Sequence, residues 1–252
     1  WRSAGLRWNG KESAPTTAEN TLSAGIVSGG KTYRNGRGVL MNADVHTIRD
    51  RCRKNLIPYT LRALSQIPRI HHPTILDMGC GTGESTMALL KMTGGHIVAV
   101  DEDRSSLSQF REKVCAAGAG DRIEIIRGSA LDTDILDRTF DIVLAEGLLH
   151  IIGFEEGLTI LLDRLKHDGY LIIHDGLDHD AEMRALFAQH AVALVDSFVL
   201  DETIWWNDYY RCLEEAVEGK DLSEYRAEID EIAAYRENPE QFCSVFYVLH
   251  KQ

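Results

Sequence analysis

An acid and three alternating glycines, Asp77, Gly79, Gly81 and Gly83, separate a short apolar run from a helical pattern in the stretch ILDMGCGTGESTMALL at residues 75–90. Ile75 and Leu76 close a buried strand and Asp77 stands at its carboxyl end. The glycines let the main chain turn sharply and come close to a ligand. Met87, Ala88, Leu89 and Leu90 then give the following helix an apolar side to lay on a sheet. This is the layout of a nucleotide-cofactor loop. A dinucleotide fingerprint needs a third glycine at position 84, where this chain has Glu84, and a pyrophosphate at that helix start would meet its carboxylate. NAD and FAD are disfavoured, and the G-K-[ST] of a phosphate-cradling loop is missing.

An acid followed by G-x-G-x-G resembles the first motif of the class I S-adenosylmethionine-dependent methyltransferases, and four later segments fall in that family's order. HIVAVD at 96–101 is similar to the second strand with its terminal acid, and RIEIIRGSALD at 122–132 to the third strand and adenine loop. FDIVLAEGLLH at 140–150 is similar to the fourth strand and the loop after it, and LKHDGYLIIHD at 165–175 to the turn and fifth strand. The resemblance covers about residues 70–176. It implies S-adenosyl-L-methionine as cofactor, with the backbone around Gly79, Cys80 and Gly81 against its methionine part and Asp77 ordering the loop or binding the ammonium. Asp101 fits the ribose, because a carboxylate can accept from both vicinal hydroxyls. Glu102 flanks the adenine or belongs to a wet acidic run. Gly128, Ser129, Ala130 and Leu131 match a loop where many relatives have Gly-Asp-Ala, so Ser129 replaces the acid that accepts from the exocyclic amine, and either its hydroxyl does that work or Asp132 reaches in. Glu146 reaches the ammonium or the acceptor.

Methyl transfer from a sulfonium is an in-line displacement, in which orientation supplies roughly 7–11 kcal/mol in favourable cases. A proton must also leave a hydroxyl or amine acceptor, and histidine suits that task near neutral pH. His150 and His174, which follow or end the fourth and fifth strands, are the candidate catalytic residues.

These residues need a frame, and the chain alternates strand and helix patterns in the way that builds one. Strands near 74–78, 96–100, 122–127, 140–145 and 170–174, with helices between them, predict an α/β fold. The expected form is a doubly wound, mostly parallel seven-stranded sheet with helices on both faces and ligands at the strands' carboxyl ends. The sixth and seventh strands are expected at 192–200 and 242–250, the last antiparallel as the resemblance implies. Residues 1–41 read as an irregular arm, whose Tyr33 and Arg37 could reach the cofactor, and 42–70 as an N-terminal helical cover split by Pro58. Residues 71–252 read as the Rossmann-like domain, with a helical insertion at 201–238. That insertion carries Trp205, Trp206, Tyr209 and Tyr210, which either form an acceptor pocket or staple the helices to the core.

The chain has 252 residues and a net charge of −12, which opposes a polyanion such as nucleic acid. Residues 1–62 nevertheless hold 11 Lys and Arg against 4 Asp and Glu, so a basic arm faces an acidic body. Five scattered cysteines without C-x-x-C spacing predict reduced thiols rather than a disulfide framework or a zinc site. No carboxylate and histidine cluster indicates a metal. No apolar run approaches a membrane span, and the expectation is a cytoplasmic protein of open oligomeric state. A small-molecule acceptor is the leading reading. The alternatives are a protein or tRNA acceptor drawn in by the basic arm, and a noncatalytic cofactor-binding module.

Overall fold

The structure is a computed structural model describing residues 32–34, 40–132, 137–190, 192–221 and 223–252, with side chains from residue 47 onward. Most of the arm at 1–41, including Arg37, lies outside the described residues, and Tyr33 is described only as backbone. Within that arm, β1 (Thr32–Arg34) and β2 (Leu40–Asn42) pair antiparallel, where an irregular chain was expected.

Seven strands make the main sheet: β3 (Thr74–Met78), β4 (His96–Asp101), β5 (Ile123–Arg127), β6 (Phe140–Glu146), β7 (Leu165–Gly176), β8 (Val192–Leu200) and β9 (Ser244–Lys251). Their order is β5-β4-β3-β6-β7-β9-β8, parallel except for β9, which runs antiparallel to both neighbours. Sheet growth reverses between β3 and β6, and an open α/β sheet opens its ligand crevice at the carboxyl ends beside such a switch. Strand alternation divides the core between the two faces. Ile75, Ile97, Ile142 and Phe246 pack on one side, and Leu76, Val98, Val143 and Tyr247 on the other.

On the first face lie α1 (Ala43–Arg53), α2 (Ile57–Ser65), α3 (Glu84–Met92) and α4 (Arg104–Ala116). Pro58 sits in the first turn of α2, where its missing N–H costs nothing, so it starts the second cover helix as predicted. The opposite face carries α5 (Leu149–Ile152), α6 (Phe154–Asp163) and α7 (Asp180–Gln189). The turn expected at 166–169 is a bulge inside β7. Pairing jumps from Leu165 opposite Phe140 to Tyr170 opposite Ile142, and Asp168 takes φ 60°.

The insertion is less regular than its periodicity suggests. It comprises α8 (Glu202–Trp205), a π-helical turn (Trp206–Tyr210), α9 (Arg211–Val217) and α10 (Arg226–Glu237), while Leu222 lies outside the described residues. The expectation of reduced thiols fails at one pair: Cys52 of α1 and Cys212 of α9 form a disulfide with Cα atoms 5.5 Å apart, although 160 positions separate them. Spacing hides a pair that only the tertiary fold brings together. Cys80, Cys115 and Cys243 are free.

Candidate functional site

The glycine loop is hooked onto the end of β4. Gly79 and Cys80 donate their amides to the Val100 carbonyl at 2.8 and 3.0 Å, and Gly81 donates to Asp101 Oδ2 at 2.7 Å. Gly83 closes the loop at φ 79°, and a Cβ there would fall 2.2 Å from the Phe110 ring, so both conformation and packing demand glycine. Three loop amides are thus spent internally.

Two carboxylates meet at this floor. Asp77 is buried and accepts from the Thr86 hydroxyl at 2.5 Å. Glu146, at the end of β6, accepts from Thr60 of α2 at 2.6 Å and Ser85 of α3 at 2.5 Å. No Lys, Arg or His among the described residues forms an ion pair with either. Burial pushes the Asp77 carboxyl up to about 7 against the Thr86 hydrogen bond, and the nearby charges of Glu146 and Asp101 add to the rise. Burial raises Glu146 as well. Such a floor is short of positive charge, which is what a ligand bearing an ammonium and a sulfonium would supply.

Asp101 holds the loop rather than the cavity wall. Its second oxygen accepts from the Asp103 amide at 2.8 Å, and a carboxylate with about four lone-pair sites keeps capacity for two hydroxyls. Beyond it, Glu102, Ser129, Ala130 and Leu131 do not line the cavity that opens past the floor. Ser129 Oγ accepts from the Leu131 amide at 3.3 Å, Ala130 packs on the core, and the Leu131 side chain is exposed.

Past the floor, a cavity of about 330 Å³ runs under the cover and the insertion. Asp77, Gly79, Cys80, Gly81, Glu146, His150 and His174 line it together with Trp205 and Tyr209. The two histidines differ. His174 is buried, stacked on Phe246 at 3.9 Å between ring centroids, and its Nε2 lies 2.7 Å from Ser244 Oγ. Ser244 accepts from Trp205 Nε1 at 3.0 Å, so its hydrogen is available to the His174 lone pair. Burial pushes the His174 imidazole down to about 3 despite Asp175 nearby, so it stays neutral and acts as wall. His150 is partly exposed, and its Nδ1 lies 2.9 Å from Asp175 Oδ1. Asp175 is buried and also accepts from the amides of Leu149, His150 and Gly176. Those hydrogen bonds and the His150 charge hold its carboxyl below the ordinary range, outweighing burial.

The four insertion aromatics divide by helical phase. Trp205 and Tyr209 face the cavity, whereas Trp206 and Tyr210 do not reach it. Trp206 stacks on Tyr235 at 5.8 Å, and Tyr210 on Tyr235 at 4.2 Å, so these two staple α10 to the insertion. The π-helical turn spans this division.

The roof contains groups that sequence reasoning missed. Arg49 of α1 pairs with Glu228 at 2.6 Å and Glu231 at 2.8 Å, both on α10. Tyr59 donates to Asp208 at 2.7 Å. Asp50 accepts from Thr82 of the loop at 2.6 Å and from Lys113 at 2.7 Å. Ser85 and Thr86 carry a signal in hindsight, as two hydroxyls in the first turn after an acid-bearing loop. Thr60 and Arg49 carry none. Among the described residues no group of three or more His, Cys, Asp or Glu is placed to hold a metal ion, and no helix is long and apolar enough to cross a membrane.

Comparison with known proteins agrees with this geometry. Residues 75–169 match the family described as a methyltransferase domain. Demethylmenaquinone methyltransferase of Lactiplantibacillus plantarum is 30% identical over 114 residues, covering 44% of this chain and 48% of that protein. Protein arginine N-methyltransferase 1 of Saccharomyces cerevisiae is 29% identical over 140 residues, covering 54% and 37%. The chain thus spans less than half the length of these curated relatives. A crystal structure of an S-adenosylmethionine-dependent methyltransferase from Thiobacillus denitrificans, in complex with S-adenosyl-L-homocysteine, shares the fold at TM-score 0.65 and 18% identity, over 82% of this chain and 98% of that one. Residues 75–169 thus match a methyltransferase domain, and the chain shares the Rossmann-like fold of that solved methyltransferase.

Proposed function

We propose that this protein is an S-adenosylmethionine-dependent methyltransferase whose acceptor is a small molecule. The observation that carries the reading is the floor of the cavity, where Asp77 and Glu146 are satisfied by hydroxyls alone and lack any cationic partner among the described residues. When bound, the cofactor supplies an electrophilic methyl group on a positively charged sulfur. Asp77 and Glu146 balance its positive charge, Asp101 takes the ribose hydroxyls, and the exposed Leu131 offers the adenine an apolar face. Ser129 takes the place of the acid that would accept from the exocyclic amine, and Glu102 flanks the same shelf.

The acceptor lies in the cavity beyond Glu146, against Trp205 and Tyr209, with His150 as the group that takes its proton. A chamber of about 330 Å³ lined by Arg49 and Arg53 of α1 and by Trp205 and Tyr209 of the insertion, with α1 tied to α9 by a disulfide, suits a compact molecule better than a protein segment or a tRNA. Calorimetry with S-adenosylmethionine and S-adenosylhomocysteine tests the cofactor half, and absence of binding by wild-type protein overturns it. Turnover of a metabolite panel against a peptide and tRNA panel tests the acceptor half. Methylation confined to macromolecules would overturn it.

A further inference from the structure

Resting on that reading, we infer that the acceptor is an aromatic hydroxyl, a compact phenol whose oxygen receives the methyl group while the His150–Asp175 pair removes its proton. An ionised carboxylate can only accept, so His150 carries its hydrogen on Nδ1, facing Asp175 Oδ1 at 2.9 Å, and its basic nitrogen is Nε2. His150 lines the same cavity as Glu146, Trp205 and Tyr209. Capping the start of α5 through the Leu149 and His150 amides explains why an acid occupies position 175. It does not explain an imidazole held by that acid in the wall of the chamber.

The acceptor's chemistry decides whether such a pair is needed. A neutral amine attacks with its lone pair and leaves a stable ammonium, which loses its proton to water afterwards. A thiol is partly ionised near neutral pH already. A hydroxyl oxygen is a weak nucleophile until its proton departs, so a base aligned at the reacting atom gains most for oxygen. Imidazole matches a phenol of pKa about 10 far better than an aliphatic alcohol. Trp205, Tyr209 and Phe246 give the chamber flat apolar walls, and its volume admits one or two fused rings.

In the step itself, the phenol O–H proton passes to His150 Nε2 as the oxygen's electron pair forms the new O–CH3 bond. The C–S bond breaks with its pair retained on sulfur, which becomes a neutral thioether. The imidazolium is balanced by Asp175 and later releases the proton to solvent. Asp175 is a positioning residue.

The test uses 2-naphthol with 2-naphthylamine and 2-thionaphthol as shape-matched probes. With the full chain, the naphthol should be methylated on oxygen at least tenfold faster than the amine. His150→Ala should lower kcat for naphthol by about 10²–10⁴-fold, the range of a lost general base, and reduce the naphthol-to-amine rate ratio at least tenfold. Asp175→Asn should lower kcat at a KM changed less than threefold. A readout independent of turnover is the ground-state naphtholate absorption of 2-naphthol bound to protein loaded with S-adenosylhomocysteine. It should develop at lower pH than for free naphthol, and vanish in His150→Ala. Calorimetric binding of S-adenosylhomocysteine by each variant shows that it is folded. Equal turnover of amine and naphthol, methylation at carbon, a His150→Ala loss below threefold, or a loaded protein that neither binds nor methylates naphthol overturns the inference. Failure of wild-type protein to bind S-adenosylhomocysteine instead overturns the cofactor reading and this inference with it.

Discussion

The floor and the roof of this chamber are assembled over different distances along the chain. At the floor and its glycine loop, Thr86 reaches Asp77 across 9 positions, Gly81 reaches Asp101 across 20, and Ser85 and Thr60 reach Glu146 across 61 and 86. At the roof, Arg49 meets Glu228 across 179, Tyr59 meets Asp208 across 149, and Cys52 meets Cys212 across 160. Their electrostatics differ too. Floor carboxylates lack cationic partners among the described residues, whereas Arg49 in the roof is matched by two acids. The floor acids leave charge open for a ligand, while the longest-range contacts in the roof close their own charge and serve as construction.

Removing a floor acid should therefore damage ligand binding, and removing a roof group should damage stability. Asp101→Ala should weaken S-adenosylhomocysteine binding by about 100-fold or more in calorimetry, since two hydrogen bonds to a charged group contribute about 1.5–3 kcal/mol each. A loss below tenfold would break the contrast. Trp205→Ala removes a fully buried ring and should cost about 3–5 kcal/mol in denaturant unfolding. Replacing Cys52 and Cys212 together by alanine should cost about 2–4 kcal/mol, with cofactor affinity changed less than threefold. Dithiothreitol should lower the melting temperature of wild type and leave that of the double variant unmoved.

Titration sharpens the same contrast. The folded-state Asp77 carboxyl, raised to about 7, binds its proton more tightly than the unfolded chain does. The ligand-free fold should lose stability as pH rises from about 4 to about 7. Cofactor charge favours the ionised form, so affinity should rise as Asp77 ionises, by up to about tenfold per pH unit below its pKa. Scanning fluorimetry and calorimetry at pH 5.5 and 8 should thus move in opposite directions, and Asp77→Asn should flatten both. Smallest of all, Trp206→Ala should cost about 1 kcal/mol through its lost stacking on Tyr235 and leave acceptor KM within twofold.

The same divide sets what the sequence disclosed. Strand and helix positions over 74–200 were legible because hydrophobic period and glycine spacing are local. The floor acids stood at strand ends for the same reason. Trp205 and Trp206 were indistinguishable as residue types, since only helical phase against a distant partner decides which faces the cavity. His150 and His174 were likewise equal candidates until burial and the Ser244 contact separated them. Cys52 and Cys212 were misread because spacing rules speak only of neighbours. Arg49 and Thr60 had no local signature at all.

The bond between Cys52 and Cys212 also bears on traffic. While that bond persists, α1 and α9 cannot part from each other, so any motion of the cover carries the insertion with it. Arg53 and Ile151 are the exposed residues among those that line the chamber, so they mark its margin toward solvent. A ligand entering from that margin would meet the side chain at position 151, whose bulk would then help to set what fits.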